Sequence, residues 1–426
     1  MDPDSFHTRS SLGLKRTCFG WWIHVITACR TIVAIFMTAV AFAALPAAAS
    51  QVGDDGSDRI LIADPSPALR SYLLSGGFIV ESTERLEALD FSLVIVALPK
   101  HTAAVVALND LQAHFPTAVL ALDDSFYLAQ DARLLHGPLA QPGQVLAAIG
   151  WRSDDGDVGK PIRVGMIDSS LDPAHQALRG AAIVPRTFTS GKAPAADTAH
   201  GTAIAAMLVG RSNDRSVVGL VRGTTLLHAS IFQNSRQGPK ASSADFLRAV
   251  DWMLKSGVRI INASITSPTK NAVVLYALST LSREEAVVVA AAGNHGPSGP
   301  PVYPAAIESA FAVTAVSIDG NAYPHANTGD YIDISAPGVD LTTTSPRITS
   351  GTSLAVPFVT AAIARMVQRC GVSPPAATAR LQANARDLGP RGRDSHFGWG
   401  LLQAPRCSPT ATQLSDRRHP RSVPAD

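Results

Sequence analysis

Beyond residue 161, short apolar runs alternate with helical runs, and this alternation constrains the fold more than any other feature of the chain. The runs Ile162–Ile167, Leu226–Phe232, Val258–Ala263 and Val287–Ala292 read as strands. Between them fall a helical stretch after His200 and helices expected over Ala244–Ser256 and Asn271–Ser282. A strand that is apolar along its whole length has no face for water, so it needs cover above and below. The expectation is an α/β fold, a mostly parallel sheet with helices on both faces. Gly210 and Gly257 stand where two of these helices would end, a position that favours glycine. With 46% hydrophobic and 16% charged residues, a mostly disordered chain is excluded. The formal net charge is +2 and the basic residues are scattered, so no nucleic-acid partner is expected.

The length of 426 residues leaves room for two or three units. From Arg59 to Tyr127 the pattern reads apolar Ile60–Ala63, helical Ala68–Leu74, apolar Phe78–Val80, apolar Leu93–Leu98, helical Thr102–His114 and apolar Ala118–Leu122. That βαββαβ order predicts a small ferredoxin-like domain over residues 58–128. Ile60-Leu61-Ile62-Ala63-Asp64 also resembles the opening of a receiver domain, but the strand Leu93-Val94-Ile95-Val96 ends in Ala97, where a receiver needs its phospho-accepting aspartate. Residues 129–160 are rich in Gly, Pro, Gln and Asp and read as a linker, ahead of a large domain over 161–404. Residues 405–426 lack apolar periodicity and are expected to be a disordered tail.

Lys15, Arg16 and Arg30 precede an uncharged run, Thr31–Ala49, with its apolar heart at Ile32–Leu45 and a break at Pro46. Ala47-Ala48-Ala49 has the small-x-small form that a leader peptidase reads. Residues 1–49 are therefore expected to be a signal peptide that exports the protein to the periplasm or outside the cell. Left uncleaved, the same segment would be an anchor, the one case in which the membrane is a partner. Cys18 and Cys29 lie in this segment; for Cys370 and Cys407 two readings stay open, a disulfide or two small buried side chains.

Three short segments carry the chemistry. Asp168 ends the strand Val164-Gly165-Met166-Ile167, at the sheet edge where open α/β folds place their crevice. Alone it would be a turn-former or a cap. His200 opens His200-Gly201-Thr202, where Gly201 permits close backbone approach, and a lone histidine there would more often cap or pack. Ser353 stands at the entrance of an apolar helix, in Gly351-Thr352-Ser353-Leu354-Ala355-Val356-Pro357, with Pro357 read as part of its first turn. A serine is a poor nucleophile until a histidine removes its proton, and that histidine needs a carboxylate to fix its tautomer. The three together are the catalytic candidates. Val287–Ala292 runs on into Gly293 and Asn294, whose side-chain amide is a candidate oxyanion donor.

These stretches, with Val218-Gly219-Leu220-Val221-Arg222-Gly223 and Phe397-Gly398-Trp399-Gly400-Leu401-Leu402, resemble the subtilisin-like (subtilase) serine peptidases over about Ile162 to Leu402. The resemblance implies a subtilisin-like fold and peptide-bond hydrolysis through Asp168, His200 and Ser353, with polypeptides as substrates. It implies substrate contacts at Ser264, Ile265, Thr266, Ala292 and Gly293. It also implies that the small domain is a propeptide and a partner of the cleft, removed by self-cleavage between Leu128 and Lys160. Thr266 and Ser267 stand where the family usually has glycines, which should narrow the pocket for the residue before the scissile bond. Ser170, Ala203 and Phe358 are further departures that spare the four chemical groups. No cofactor is expected. Structural calcium is common in the family, but no EF-hand-like loop is present, and Asp330 and Asp333 read as solvated. The rival functions are a catalytically silent peptide-binding or chaperone-like scaffold and a membrane-tethered peptide ligase.

Overall fold

The computed structural model describes residues 58–129, 139–152, 162–189, 196–211, 216, 219–236, 238–345 and 349–407. The expected signal peptide and nearly all of the expected tail lie outside the described residues.

The first unit is built from β1 (Arg59–Ala63), α1 (Pro67–Ser75), β2 (Ile79–Leu86), β3 (Phe91–Ala97), α2 (Ala104–His114) and β4 (Val119–Leu122). Its antiparallel sheet has the order β2-β3-β1-β4. The start of α1 is fixed locally, since the Ser66 side chain accepts from Leu69 N and Pro67 takes the first position, where a missing N–H does no harm. Alternate residues of the strands serve two cores. Ile60, Ile62, Val94 and Val96 pack on Leu69, Leu73, Leu108 and Leu111, whereas Leu61, Leu93 and Ile95 face the second unit. Strand β2 runs well beyond the expected Phe78–Val80, because its edge position leaves polar residues such as Glu81 exposed.

A further strand, β5 (Ser125–Leu128), leads into the second unit. There follow α3 (Pro142–Ala148), β6 (Arg163–Asp168), β7 (Ile183–Thr187), α4 (Ala199–Val209), β8 (Thr225–Ser230), β9 (Gln233–Ser235), β10 (Gly238–Ser242), α5 (Ser243–Lys255), β11 (Ile260–Ala263), β12 (Ile265–Thr266), α6 (Ala272–Ser279), β13 (Val287–Ala291), β14 (Ala310–Val316), β15 (Ile334–Pro337), α7 (Thr352–Cys370) and α8 (Pro374–Ala383). Seven strands form a parallel sheet in the order β15-β14-β13-β11-β6-β8-β7. In β13, Val289 and Ala291 belong to the core that holds α4 and α7, and Val288 and Ala290 to the core that holds α5 and α6. This double cover is why the strand reads as an uninterrupted apolar run. Helix α5 is capped by Ser242, whose side chain accepts from Asp245 N, and the chain leaves it through Gly257 at φ +78°.

The structure corrects part of the expected linker. Residues 142–148 form α3, and Val145 and Ile149 are fully buried in the core of the second unit. The Trp151 ring lies 4.1 Å from the guanidinium carbon of buried Arg365. A seven-residue helix is too short to show a period, so its anchoring role was invisible in the sequence. Cys370, the last residue of α7, is joined to Cys407 by a disulfide. Among the described residues, no helix is long and apolar enough to cross a membrane.

Candidate active site

Asp168 lies at the carboxyl end of β6, fully buried, and its Oδ1 accepts from His200 Nδ1 at 2.7 Å and from Ser169 N at 2.7 Å. With Nδ1 donating to the carboxylate, the His200 lone pair is left on Nε2. His200 is the second residue of α4, and this helix end is pressed against the loop after β6. A Cβ on Gly201 would sit 2.5 Å from the carbonyl oxygens of both Ser169 and Ser170, so only glycine lets the two approach. Gly201 N donates to Ser169 Oγ at 3.0 Å. From β8, His228 donates through Nε2 to the Ser169 carbonyl at 2.9 Å, and burial lowers its pKa, keeping it neutral.

Ser353 is the second residue of α7 and is fully buried. Its Oγ and His200 Nε2 have no hydrogen-bond partner among the described residues. Gly351, which caps the helix, has φ +148°. Pro357 is the sixth residue of α7, beyond the first turn where the sequence placed it. The N–H it lacks would have donated to the Ser353 carbonyl four residues back. That carbonyl instead accepts from Ser264 Oγ at 3.0 Å, and Ser264 Oγ in turn accepts from Asn262 Nδ2 at 3.0 Å.

Asn294 is oriented by Thr352. Its Oδ1 accepts from Thr352 N at 3.0 Å and from Thr352 Oγ1 at 2.9 Å, which turns Nδ2 the other way, where it donates to the Ala129 carbonyl at 2.8 Å. A Cβ on Gly351 would lie 3.3 Å from each of Ala129 O, Asn294 Nδ2 and Ser353 Oγ, so the three atoms converge on one small space.

Ala129 reaches that space at the end of β5, which is clamped between two strands of the second unit. Leu128 and Tyr127 pair with Ile265 and Thr266 of β12, and Phe126 and Ser125 with Ala241 and Ser242 of β10, both antiparallel. Ala129 N donates to the Ser264 carbonyl at 3.2 Å. Of the expected substrate contacts, Ser264, Ile265 and Thr266 therefore line an extended chain. The backbone groups of the other two are engaged elsewhere: Ala292 N donates to Val313 O at 3.0 Å, Ala292 O accepts from Tyr331 at 2.7 Å, and Gly293 N donates to Thr352 Oγ1 at 3.2 Å.

The first unit is held on α5 and α6 by polar contacts around this strand. Asp123 accepts from Arg59 at 2.5 Å and from Ala244 N, in the first turn of α5, at 2.9 Å. Asp251 accepts from Ala88 N at 2.8 Å, and Asn271, the cap of α6, donates to the Leu122 carbonyl at 2.8 Å and to Asp124 Oδ2 at 2.9 Å. Burial pushes the Asp123 carboxyl up to about 6, against the opposing pull of Arg59, and burial likewise raises Asp245 and Asp251.

Sequence reasoning missed Thr352 as the lock on Asn294, and it missed β5 and Ala129 as occupants of the cleft. No local signal marks β5 and Ala129, since the partners of this segment lie more than a hundred positions away in the chain. Asp333, read as solvated, is half-buried and accepts from Ala312 N at 2.8 Å and Gln382 Nε2 at 3.0 Å. Among the described residues no cluster of three or more His, Cys, Asp or Glu side chains could hold a metal ion.

The Subtilase family model (peptidase S8) matches residues 159–400. The chain is 29% identical over 272 residues to the minor extracellular protease Epr of Bacillus subtilis (strain 168), covering 62% of this chain and 40% of that protein. It is 30% identical over 254 residues to subtilisin DY of Bacillus licheniformis, covering 57% of this chain and 89% of that one. Among solved structures, fervidolysin from Fervidobacterium pennivorans, a keratinolytic enzyme related to subtilisin, aligns with a TM-score of 0.67 over 83% of this chain and 61% of that chain; at 18% identity the likeness is one of fold. The prenylagaramide maturation protease PagA aligns with a TM-score of 0.50 and 26% identity, over 58% of this chain and 92% of that one. The chain thus spans less than half the length of Epr.

Proposed function

The chain belongs to the subtilase family, and on that premise we propose that it is an exported serine endopeptidase, made as a proenzyme that cleaves itself. The observations that carry this reading are the convergence of the Ala129 carbonyl, Asn294 Nδ2 and Ser353 Oγ on one space and the buried Asp168–His200 hydrogen bond, with Ser353 Oγ and His200 Nε2 each left without a partner among the described residues. In the proposed reaction His200 Nε2 takes the Ser353 proton as Oγ bonds to the carbonyl carbon of the substrate. Asp168 stabilises the imidazolium, and Asn294 meets the negative charge developing on the carbonyl oxygen. The C–N bond breaks as His200 returns the proton to the leaving amine. Water then repeats the sequence on the ester, releasing the acid and restoring Ser353.

Residues 58–128 act in this scheme as a propeptide, for which the support is their docking on α5 and α6 with β5 in the cleft. Export is supported by the apolar run Thr31–Ala49 with its alanine triplet, by the Cys370–Cys407 disulfide, which suits an oxidising compartment, and by the extracellular relative.

The test compares the full chain with Ser353→Ala by intact mass, N-terminal sequencing and labelling with a fluorophosphonate probe. The wild type is expected to be cut between Leu128 and Lys160 and labelled at Ser353, and the variant to be neither. A wild type that stays whole and unlabelled would overturn the reading.

A further inference from the structure

Strand β5 is unevenly buried. Phe126 is 1% exposed and Ala129 3%, whereas Tyr127 and Leu128 between them are half-buried. The two deep positions differ in size. The Phe126 ring stacks on Phe246 of α5 with centroids 4.8 Å apart and planes at 28°, so that position takes an aromatic side chain. Ala129 is held at both backbone groups, by the Ser264 carbonyl and by Asn294, and carries a single methyl group.

Continuing the register of Leu128 with Ile265 sets Ala129 opposite Ser264, and strand alternation puts Thr266 on the same face as its diagonal neighbour. Thr266 and Ser267 are both buried. Ser267 is bonded in both directions to Tyr303, at 2.7 and 2.8 Å, so this wall is not free to withdraw. Close-packed surroundings admit added atoms only by displacing others.

We infer that the protein cuts after a small residue preceded three positions earlier by an aromatic one, that its own first cut follows Ala129, and that Thr266 is the side chain excluding larger residues. This inference rests on the endopeptidase reading above. In that first cut Ser353 Oγ forms an ester with the Ala129 carbonyl carbon, and the bond to Gln130 breaks, with the serine proton leaving on the new amine. Water hydrolyses the ester and leaves Ala129 as a carboxylate.

The full chain is compared with Ala129→Ser, Ala129→Phe and the double variant Ala129→Phe/Thr266→Gly, following the rate of self-cleavage and the new N-terminus. Wild type and Ala129→Ser are expected to begin at residue 130. Ala129→Phe is expected to be cut there at least about 30-fold more slowly, roughly 2 kcal/mol in the barrier, and Thr266→Gly to restore much of the rate. Because Ala129→Phe could disturb folding, the processed wild type is also given peptides that differ only in Ala or Phe before the scissile bond. A preference for Ala of about 30-fold or more in kcat/KM is expected. An enzyme that labels with fluorophosphonate but cuts after Phe as fast as after Ala, or starts its mature chain elsewhere, overturns this inference and leaves the endopeptidase reading standing. A chain that neither labels nor cleaves any peptide overturns both.

Discussion

Ser264 Oγ donates to the main-chain carbonyl of Ser353 at 3.0 Å, supplying the hydrogen bond that Pro357 withholds from its own helix. The same residue offers its carbonyl to Ala129 N, so one short segment steadies both the helix that carries Ser353 and the strand end at Ala129. Removing the hydroxyl leaves a buried carbonyl without a donor, a loss of about 1–3 kcal/mol. In a Ser353→Ala background, which prevents self-digestion, Ser264→Ala is expected to lower stability by that amount in denaturant titration. Adding Pro357→Ala restores an N–H donor within the helix, so the double change should recover part of the loss. Two additive losses would rule the account out.

Asn294 is held by Thr352 with its amide aimed at the Ala129 carbonyl. Asn294→Ala is expected to lower kcat by about 10²–10³-fold with little change in KM, the range known for loss of one oxyanion donor in subtilisin. Thr352→Val, which removes one of the two bonds orienting the amide, should lower kcat by less. Steady-state kinetics normalised to the titrated active-site concentration decides this, and an unchanged kcat in Asn294→Ala would remove Asn294 from the mechanism.

The buried Asp123 carboxyl predicts that docking of the first unit depends on pH. Its carboxyl, buried between Arg59 and the start of α5 and near Asp245 and Arg248, is raised to about 6 in the docked state. Once released it should return to the ordinary range near 4. The docked state therefore binds more protons, so docking is strongest in acid and is lost as pH rises through 6. Asp245 and Asp251, both raised by burial, act in the same sense. After self-cleavage, affinity for the released fragment is expected to weaken roughly tenfold between pH 5 and pH 7. Native mass spectrometry across that interval measures it. Asp123→Asn, which cannot ionise, should flatten the profile, and release that is faster in acid would contradict the assignment.

Much of the second unit was legible because its strands are covered on both faces and so appear as uninterrupted apolar runs, Val287–Ala291 most plainly. Asp168, His200, Ser353 and Asn294 were singled out as candidates because the chemistry proposed for them recurs in short segments. What escaped depends on partners far away in the chain. Strand β5 has four residues, opens with a serine and makes no pattern of its own; it is a strand only because β10 and β12 lie on either side. Thr352 is the first residue of α7, and its grip on Asn294 spans 58 positions. Pro357 was misplaced by one turn, because the bond it forfeits is made good by a side chain from another strand.

Strand β5 is one member of a four-stranded sheet whose order is β12-β5-β10-β9. Withdrawing it leaves two facing edges with unmet backbone donors and acceptors, separated by the width of a single strand. No helix or hairpin fits such a slot, so a target must first unfold locally to enter it. The free energy of that local opening adds to the barrier for every target. Two proteins bearing the same cleavable segment would then be cut at rates set by how readily each releases it, and the enzyme would act as a sensor of loosened structure as well as a reader of side chains.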